Sequence, residues 1–168
     1  TAPLIAFAKG GWGAARLLEQ PQPWSKGFLL GYSDVSSILL SRLASGFDGG
    51  VHGPLVTSLS KEPDWSKERL KAILFGGEVP DIHGTVWKKG IASGPLIVAN
   101  LTVATHLIGS NHFPDISGSI LVLEDTGEAP YRIDRMLTQW RLTGKLQTVA
   151  GIAFGNFNFT EDTLETKE

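Results

Sequence analysis

The stretch that most constrains this chain is Gly31-Tyr32-Ser33-Asp34, where a short apolar run meets a helical pattern. Residues 27–30 form the apolar run, and apolar residues recur afterwards at positions 35, 38, 39 and 43. Ser33 is therefore predicted where a buried strand turns sharply into a helix, with its hydroxyl at the rim of a sheet beside the free N–H groups of the helix. A serine nucleophile needs that placement.

Ser33 also has a simpler interpretation. Serine is a favoured N-cap residue, and a serine before an amphipathic helix is usually only a cap. The stretch departs from the α/β-hydrolase elbow G-x-S-x-G as well, because Val35 stands at the second glycine position. The residues by themselves leave both the nucleophile and the cap open.

Composition excludes several classes of protein. With 42% hydrophobic and 19% charged residues, the 168-residue chain is predicted to be globular and long enough for a real core. Its net charge of −2 gives no electrostatic reason to bind nucleic acid. The absence of cysteine excludes disulfides, thiolate metal sites and cysteine nucleophiles. No apolar run is long enough for a membrane span and no signal peptide is visible, so we expect no membrane partner and a cytoplasmic location.

The order of predicted elements gives the fold class. Strand-like apolar runs alternate with helical patterns, and the second half contains a βαβ unit with a parallel strand pair. We predict an α/β fold in two parts. Residues 1–78 form an N-terminal Rossmann-like parallel-sheet part, and residues 79–168 form a second, partial α/β part that contains the βαβ unit. The predicted strands are residues 4–8, 27–30, 85–87, 119–123 and 149–154, the last two of them buried.

A glycine-rich loop follows the first predicted strand. Gly11 and Gly13 match the first two positions of a dinucleotide-binding fingerprint, but the bulky Arg16 stands at the third. Such a loop can instead offer N–H groups to an anion or an oxyanion, or it can be a tight turn without a ligand. All three interpretations remain open.

Two further positions could carry chemistry. Glu124 follows the predicted strand 119–123 and either faces solvent or orients a histidine, as the third member of a Ser-His-acid triad. Because ligands bind at the carboxyl ends of parallel strands, we expect Ser33 and Glu124 to face one cleft between the two parts. Arg132 could bind a substrate carboxylate or belong to a solvated helix face. His52, in a predicted loop, is more often structural or solvated than catalytic.

Five segments of the chain carry a recognisable pattern: the loop Lys9–Leu18, the motif Gly31–Asp34, His52-Gly53-Pro54, Ala99-Asn100-Leu101, and Leu123-Glu124-Asp125 followed by Glu128–Leu137. Together they resemble the LD-carboxypeptidases, the muramoyltetrapeptide carboxypeptidases and microcin-immunity peptidases of serine family S66. The last of these segments is long and specific, and the resemblance covers nearly the whole chain.

This resemblance implies a serine peptidase that removes a terminal D-amino acid at an L,D-peptide bond, typically from the tetrapeptide of recycled cell-wall fragments. Ser33 would attack the carbonyl, and Glu124 would orient the catalytic histidine. Backbone N–H groups of Gly11 and Asp34 would form the oxyanion hole, and Arg132 and Tyr32 would contact the substrate. The resemblance implies a peptide substrate but no metal and no cofactor. It leaves the oligomeric state open, a homodimer included.

The chain departs from the family pattern at both ends. The family's catalytic histidine lies downstream of the L-E-D block, a place that none of the chain's four histidines takes. The first strand and helix before the glycine loop are also missing. We therefore expect an internal portion of a longer enzyme, inactive by itself. A non-catalytic peptide-binding module, a microcin-type immunity peptidase and a nucleotide-binding domain are the alternatives. The four histidines are His52, His83, His106 and His112.

Overall fold

The computed structural model describes residues 3–159, which form a mixed α/β fold with two three-stranded parallel sheets. This confirms the predicted fold class. The strands are β1 (Leu4–Ala6), β2 (Phe28–Gly31), β3 (Gly50–His52), β4 (Leu96–Asn100), β5 (Ile120–Thr126) and β6 (Gly151–Asn158). The α-helices are α1 (Ser36–Ala44), α2 (Asp64–Phe75), α3 (Leu101–Leu107), α4 (Pro130–Leu142) and α5 (Lys145–Thr148). Short 3-10 turns span Ala14–Glu19, Ser33–Val35 and Leu59–Lys61.

The two sheets have the same plan, in which the middle strand has a parallel neighbour on each side. The first sheet has the order β1-β2-β3 and the second the order β4-β5-β6. Ser33 follows β2, and Glu124 lies near the end of β5. Each candidate catalytic residue is therefore at the carboxyl end of a central strand, where ligands of parallel sheets bind.

One hydrophobic core joins the two sheets. Leu29 and Ile38 from the first half belong to the same buried cluster as Leu121, Leu123 and Trp140 from the second. The apolar face of α4 packs on this cluster as well, since Ile133, Met136 and Leu137 contact it. The shared core holds the two carboxyl edges in a defined relation. The predicted division between residues 78 and 79 falls in residues 76–95, which contain neither helix nor strand, and it stays a prediction.

Three local predictions are wrong. Residues 85–87 form no strand and are exposed to solvent. The predicted buried strand at 149–154 is β6, which is mostly exposed because it pairs with β5 alone within the described residues. Leu43, predicted on the apolar face of α1, is exposed, whereas Arg42 is buried because the carbonyls of Ser25 and Gly27 accept hydrogen bonds from its guanidinium.

Within residues 3–159, none of the helices has the length and apolar character that a bilayer crossing requires.

Candidate active site

Ser33 stands on a strained turn between β2 and α1. Its φ of 63° makes it the one residue other than glycine with a positive φ in residues 3–159. Such a conformation costs about 1–2 kcal/mol for an L-residue, and it is found at functional sites. The turn requires glycine at position 31, because a Cβ there would lie 2.7 Å from Cγ1 of Val35. Val35, which breaks the G-x-S-x-G pattern, is thus accommodated by Gly31.

The serine does not cap the helix that follows it. Neither the 3-10 turn Ser33–Val35 nor α1 has a side-chain cap. The hydrogen bond that stabilises this corner comes from Ser37, whose hydroxyl donates to the carbonyl of Asp34 at 2.7 Å. The simpler interpretation of Ser33 as an N-cap is therefore wrong.

The glycine loop packs directly against Ser33. A Cβ on Gly10 would lie 3.1 Å from Cβ of Ser33 and 3.3 Å from its Oγ. Gly11 has a φ of 116°, which side chains disfavour. The loop is tied to the turn because the Asp34 carboxylate accepts a hydrogen bond from the N–H of Ala14 at 2.8 Å. These contacts hold the glycine loop beside the serine turn, and the oxyanion-hole role of Gly11 and Asp34 stays a prediction.

Arg16, at the third position of the dinucleotide pattern, lies against the loop itself. Its guanidinium carbon is 5.0 Å from the centre of the Trp12 ring, a cation–π distance. Trp12 and Arg16 are both exposed. Arg16 occupies the position where a dinucleotide fold has a glycine for close helix–strand packing, so the loop departs from that pattern.

Glu124 lies within β5 rather than after it, which corrects the predicted end of that strand. A register shift between Leu123 and Asp125 lets the strand continue to Thr126. Glu124 pairs with Asn100 of β4 on one side. On the other side, a Cβ on Gly155 of β6 would come 3.1 Å from Cβ of Glu124, so the two strands approach closely there.

The neighbouring Asp125 fixes the end of this strand. Its carboxylate is buried, with 4% of the residue exposed. It accepts hydrogen bonds from Asn100 Nδ2 at 3.0 Å, from the N–H and hydroxyl of Thr102 at 2.9 and 2.7 Å, and from the N–H of Thr126 at 2.9 Å. Asn100 also caps α3, because its Oδ1 accepts from the N–H of Val103 at 3.0 Å. Burial of the charge is tolerated because its lone pairs are satisfied.

Two contacts connect the carboxyl edges of the two sheets. The Ser36 hydroxyl, three residues after the candidate nucleophile, accepts a hydrogen bond from the N–H of Asn100 at 3.1 Å. His52 Nε2 lies 3.3 Å from Glu124 Oε1. Because Asn100 is the register partner of Glu124 and His52 that of Gly31, these contacts bring the serine turn and the glutamate to one edge.

His52 lies at the same edge, although its place in a predicted loop favoured a structural or solvated histidine. It is the last residue of β3 rather than part of a loop, and only 10% of its side chain is exposed. The edge of its ring faces the ring of Tyr32, with 6.1 Å between the centres. The signal that could have identified it is the parallel pairing of β3 with β2, which places its last residue at the serine edge.

The remaining candidates are less closely tied to this edge. Arg132 lies in the first turn of α4, with 59% of its side chain exposed. Its Nε donates to the hydroxyl of Tyr131 at 3.3 Å, and that hydrogen bond, with the nearby Glu128, raises the pKa of the guanidinium above its usual value. No contact in the described part of the chain connects Arg132 to Ser33, so its substrate role stays a prediction.

The other histidines are not placed at the serine. His112 Nδ1 lies 2.8 Å from the Ser41 hydroxyl, and His83 and His106 are exposed. Across residues 3–159, no three side chains of the types that bind metals come together.

The comparison with known proteins gives the family. Residues 93–168 match the family described as LD-carboxypeptidase C-terminal domain. A Synechocystis sp. protein, provisionally named a carboxypeptidase, is 49% identical over 160 residues, covering 94% of this chain and 53% of that protein. The murein tetrapeptide carboxypeptidase of Pseudomonas aeruginosa is 33% identical over 169 residues, covering 89% of this chain and 54% of that enzyme. The chain spans about half the length of these curated relatives.

Solved structures have the same architecture. The muramoyltetrapeptide carboxypeptidase from Oxalobacter formigenes matches with a TM-score of 0.72 at 25% identity, over 98% of this chain and 60% of that chain. The microcin C7 self-immunity protein MccF, in its wild-type apo state, matches with a TM-score of 0.79 at 20% identity, over 99% of this chain and 61% of that chain. The MccF match shows the fold alone.

Proposed function

Because the chain belongs to the LD-carboxypeptidase family, we propose that the full-length protein is a serine carboxypeptidase that hydrolyses an L,D-peptide bond. Its substrates are murein-derived tetrapeptides, from which it releases the terminal D-amino acid in the cytoplasm. The substrate class is supported by the 33% identity to the murein tetrapeptide carboxypeptidase of P. aeruginosa.

The observation that carries this proposal is the backbone of Ser33. A serine held at a φ of 63°, directly after the carboxyl end of a central parallel strand, lies at the edge of the sheet where ligands of such sheets bind. That arrangement costs stability and provides no helix cap, so its strain is best explained by a nucleophile. The glycine loop beside it supports an acyl-transfer reaction, because such a reaction needs N–H donors next to the attacking oxygen.

The reaction proceeds through an acyl-enzyme. The Ser33 oxygen forms a bond to the carbonyl carbon of the scissile amide while its proton passes to a histidine. The N–H groups of Gly11 and Asp34 bind the oxyanion. The C–N bond then breaks, the histidine gives its proton to the leaving D-amino acid, and water hydrolyses the ester on Ser33. Glu124 orients the histidine, as the acid does in a Ser-His-acid triad.

The general base in this proposal is a histidine outside residues 1–168, as the family resemblance implies. His52 is the chain's one histidine beside Glu124, but it does not suit the role. Its Nε2 points to the carboxylate, and its Nδ1 is buried without a hydrogen-bond partner within the described residues. A base must reach the serine hydroxyl, at hydrogen-bond distance or through one water.

The experiment is a peptidase assay on the full-length protein and its Ser33→Ala variant. Purified protein is incubated with the murein tetrapeptide that ends in D-alanine and with its all-L stereoisomer, and the released alanine is quantified. We expect release from the first peptide only, and none with the variant. Equal activity of the variant would end the serine-peptidase proposal.

Three binding measurements separate the alternatives. Saturable tetrapeptide binding without release would support a peptide-binding module, and binding of a dinucleotide would support a nucleotide-binding domain. A glutamyl sulfamoyl nucleotide tests the immunity-type alternative, because MccF has been solved in complex with glutamyl sulfamoyl guanosine. Tighter binding of that compound than of the tetrapeptide would favour the immunity substrate class.

A further inference from the structure

His52 and Glu124 form a contact between the two sheets that the peptidase mechanism above does not use. The residues are 72 positions apart in sequence and belong to different sheets, yet His52 Nε2 is 3.3 Å from Glu124 Oε1. Their side chains are 10% and 21% exposed, so the contact is largely removed from solvent. A charge interaction is stronger in such surroundings than at an exposed surface.

The imidazole is itself held from several directions. His52 is the register partner of Gly31 in β3, and the N–H of the next residue, Gly53, donates to the carbonyl of Gly31 at 3.1 Å. The edge-to-face contact with Tyr32 further restricts the ring. The ring is therefore a rigid support rather than a mobile group.

The two nitrogens of the ring have different surroundings. Nδ1 is buried without a partner within residues 3–159, whereas Nε2 faces a carboxylate oxygen at 3.3 Å. This contact does not have hydrogen-bond geometry, so an N–H at Nε2 acts on the carboxylate electrostatically.

Glu124 Oε1 is buried and has no hydrogen-bond partner within the described residues. The polar contact that the structure gives it is the ion-pair distance of 3.3 Å to His52 Nε2. On the opposite flank of Glu124, a Cβ on Gly155 of β6 would lie 3.1 Å from the Glu124 Cβ. Without the imidazole, this buried oxygen would lose its polar neighbour, and the carboxylate would turn toward water.

We infer that His52 is a positioning residue, which holds Oε1 of Glu124 so that the other carboxylate oxygen is presented to the histidine of the triad. This inference rests on the proposed function. It assigns a role to the His52-Gly53-Pro54 segment, in which the N–H of Gly53 anchors the chain next to the histidine to the carbonyl of Gly31. A misplacement of catalytic groups by about 1 Å can cost on the order of 100-fold in rate, so the effect is large enough to measure.

The test compares His52→Gln with His52→Asn in the full-length protein. Both variants carry the same amide, but only glutamine extends far enough to place an N–H where Nε2 lies. We expect His52→Gln to retain most of the activity and His52→Asn to lower kcat on the order of 100-fold with little change in KM. His106→Ala, at an exposed histidine of α3, is the control and should equal the wild type.

A double-mutant cycle with Glu124→Gln tests whether His52 acts through the glutamate. The readout is the rate at which a fluorophosphonate probe labels Ser33, which requires no peptide substrate. We expect the Asn substitution to slow labelling in the wild-type background and to add little in the Glu124→Gln background. Equal losses for Gln and Asn, full additivity with Glu124→Gln, or wild-type rates for His52→Asn would each overturn the inference.

The probe also separates this inference from the proposed function. A wild-type protein that is labelled at Ser33 but releases no D-alanine would contradict the proposed substrate and leave the His52 comparison valid. A wild-type protein that cleaves the tetrapeptide while all His52 variants match it would contradict the His52 role alone.

Discussion

The carboxylate of Asp34 accepts a hydrogen bond from the backbone N–H of Ala14 at 2.8 Å, across 20 residues of sequence. Asp34 directly follows the candidate nucleophile, and Ala14 ends the glycine loop. One side chain therefore fixes the distance between the two backbone segments that are proposed to bind the oxyanion.

Removal of this hydrogen bond should lower kcat more than it weakens substrate binding. We expect Asp34→Ala in the full-length protein to lower kcat by roughly 10- to 100-fold, because the loop N–H loses its alignment while the N–H of residue 34 remains. Asp34→Asn keeps a side-chain acceptor of the same size and should lose much less. Steady-state kinetics on the L,D-tetrapeptide checks both, and equal losses for the two variants would contradict the role of the hydrogen bond.

Gly10 should tolerate no side chain. In Gly10→Ala the new Cβ would lie 3.1 Å from Cβ of Ser33, so either the loop or the serine must shift. We expect at least a tenfold slower reaction of Ser33 with a fluorophosphonate, since the near-attack geometry is disturbed. Gly84→Ala is the matched control, because a Cβ at that exposed position meets nothing within 4 Å. A wild-type labelling rate for Gly10→Ala would show that the contact is unimportant.

The strain at Ser33 should be measurable as stability. Both Ser33→Gly and Ser33→Ala remove the hydroxyl and should be inactive, but only glycine adopts a φ of 63° without penalty. We expect the glycine variant to be more stable than the alanine variant by about 1 kcal/mol. Urea denaturation of the two full-length variants gives the difference. A more stable alanine variant would mean that the turn relaxes when the serine is replaced.

Asp125 should matter for stability rather than for chemistry. Asp125→Ala leaves donors from Asn100, Thr102 and Thr126 without an acceptor at the end of β5. We expect a loss of about 3 kcal/mol or more in the free energy of unfolding. Asp115→Ala, at an exposed aspartate whose side chain bonds only to Ser117, should change it by about 0.5 kcal/mol or less. Similar losses for the two variants would contradict this assignment.

Features with a local cause could be predicted from the sequence. Asn100 caps α3, Pro130 begins α4, and Gly76 ends α2 in the left-handed conformation, as the residue types indicate. The place of Ser33 at a strand-to-helix turn was also predictable, because an apolar run and a helical pattern meet there.

Features that depend on distant contacts could not be predicted. The apolar residues of β6 predict a buried strand, but most of its residues are exposed. Burial depends on which neighbours cover a strand, and periodicity does not identify them. The extension of β5 past Glu124 depends on pairing with β6 and on the buried hydrogen bonds of Asp125. The contact between His52 and Glu124 joins two sheets, and no pattern within either segment indicates it.

The position of β2 and β5 in the middle of their sheets has a consequence for how this protein could change over time. Each of these strands has a neighbour on both sides, so Ser33 and Glu124 are each flanked by two other strands. Some flanking residues touch the site directly, as Gly155 of β6 and His52 of β3 do at Glu124. Substitutions at these contact positions should lower turnover. Positions of the outer strands that make no such contact can diverge over time while the spacing of the reactive groups is preserved.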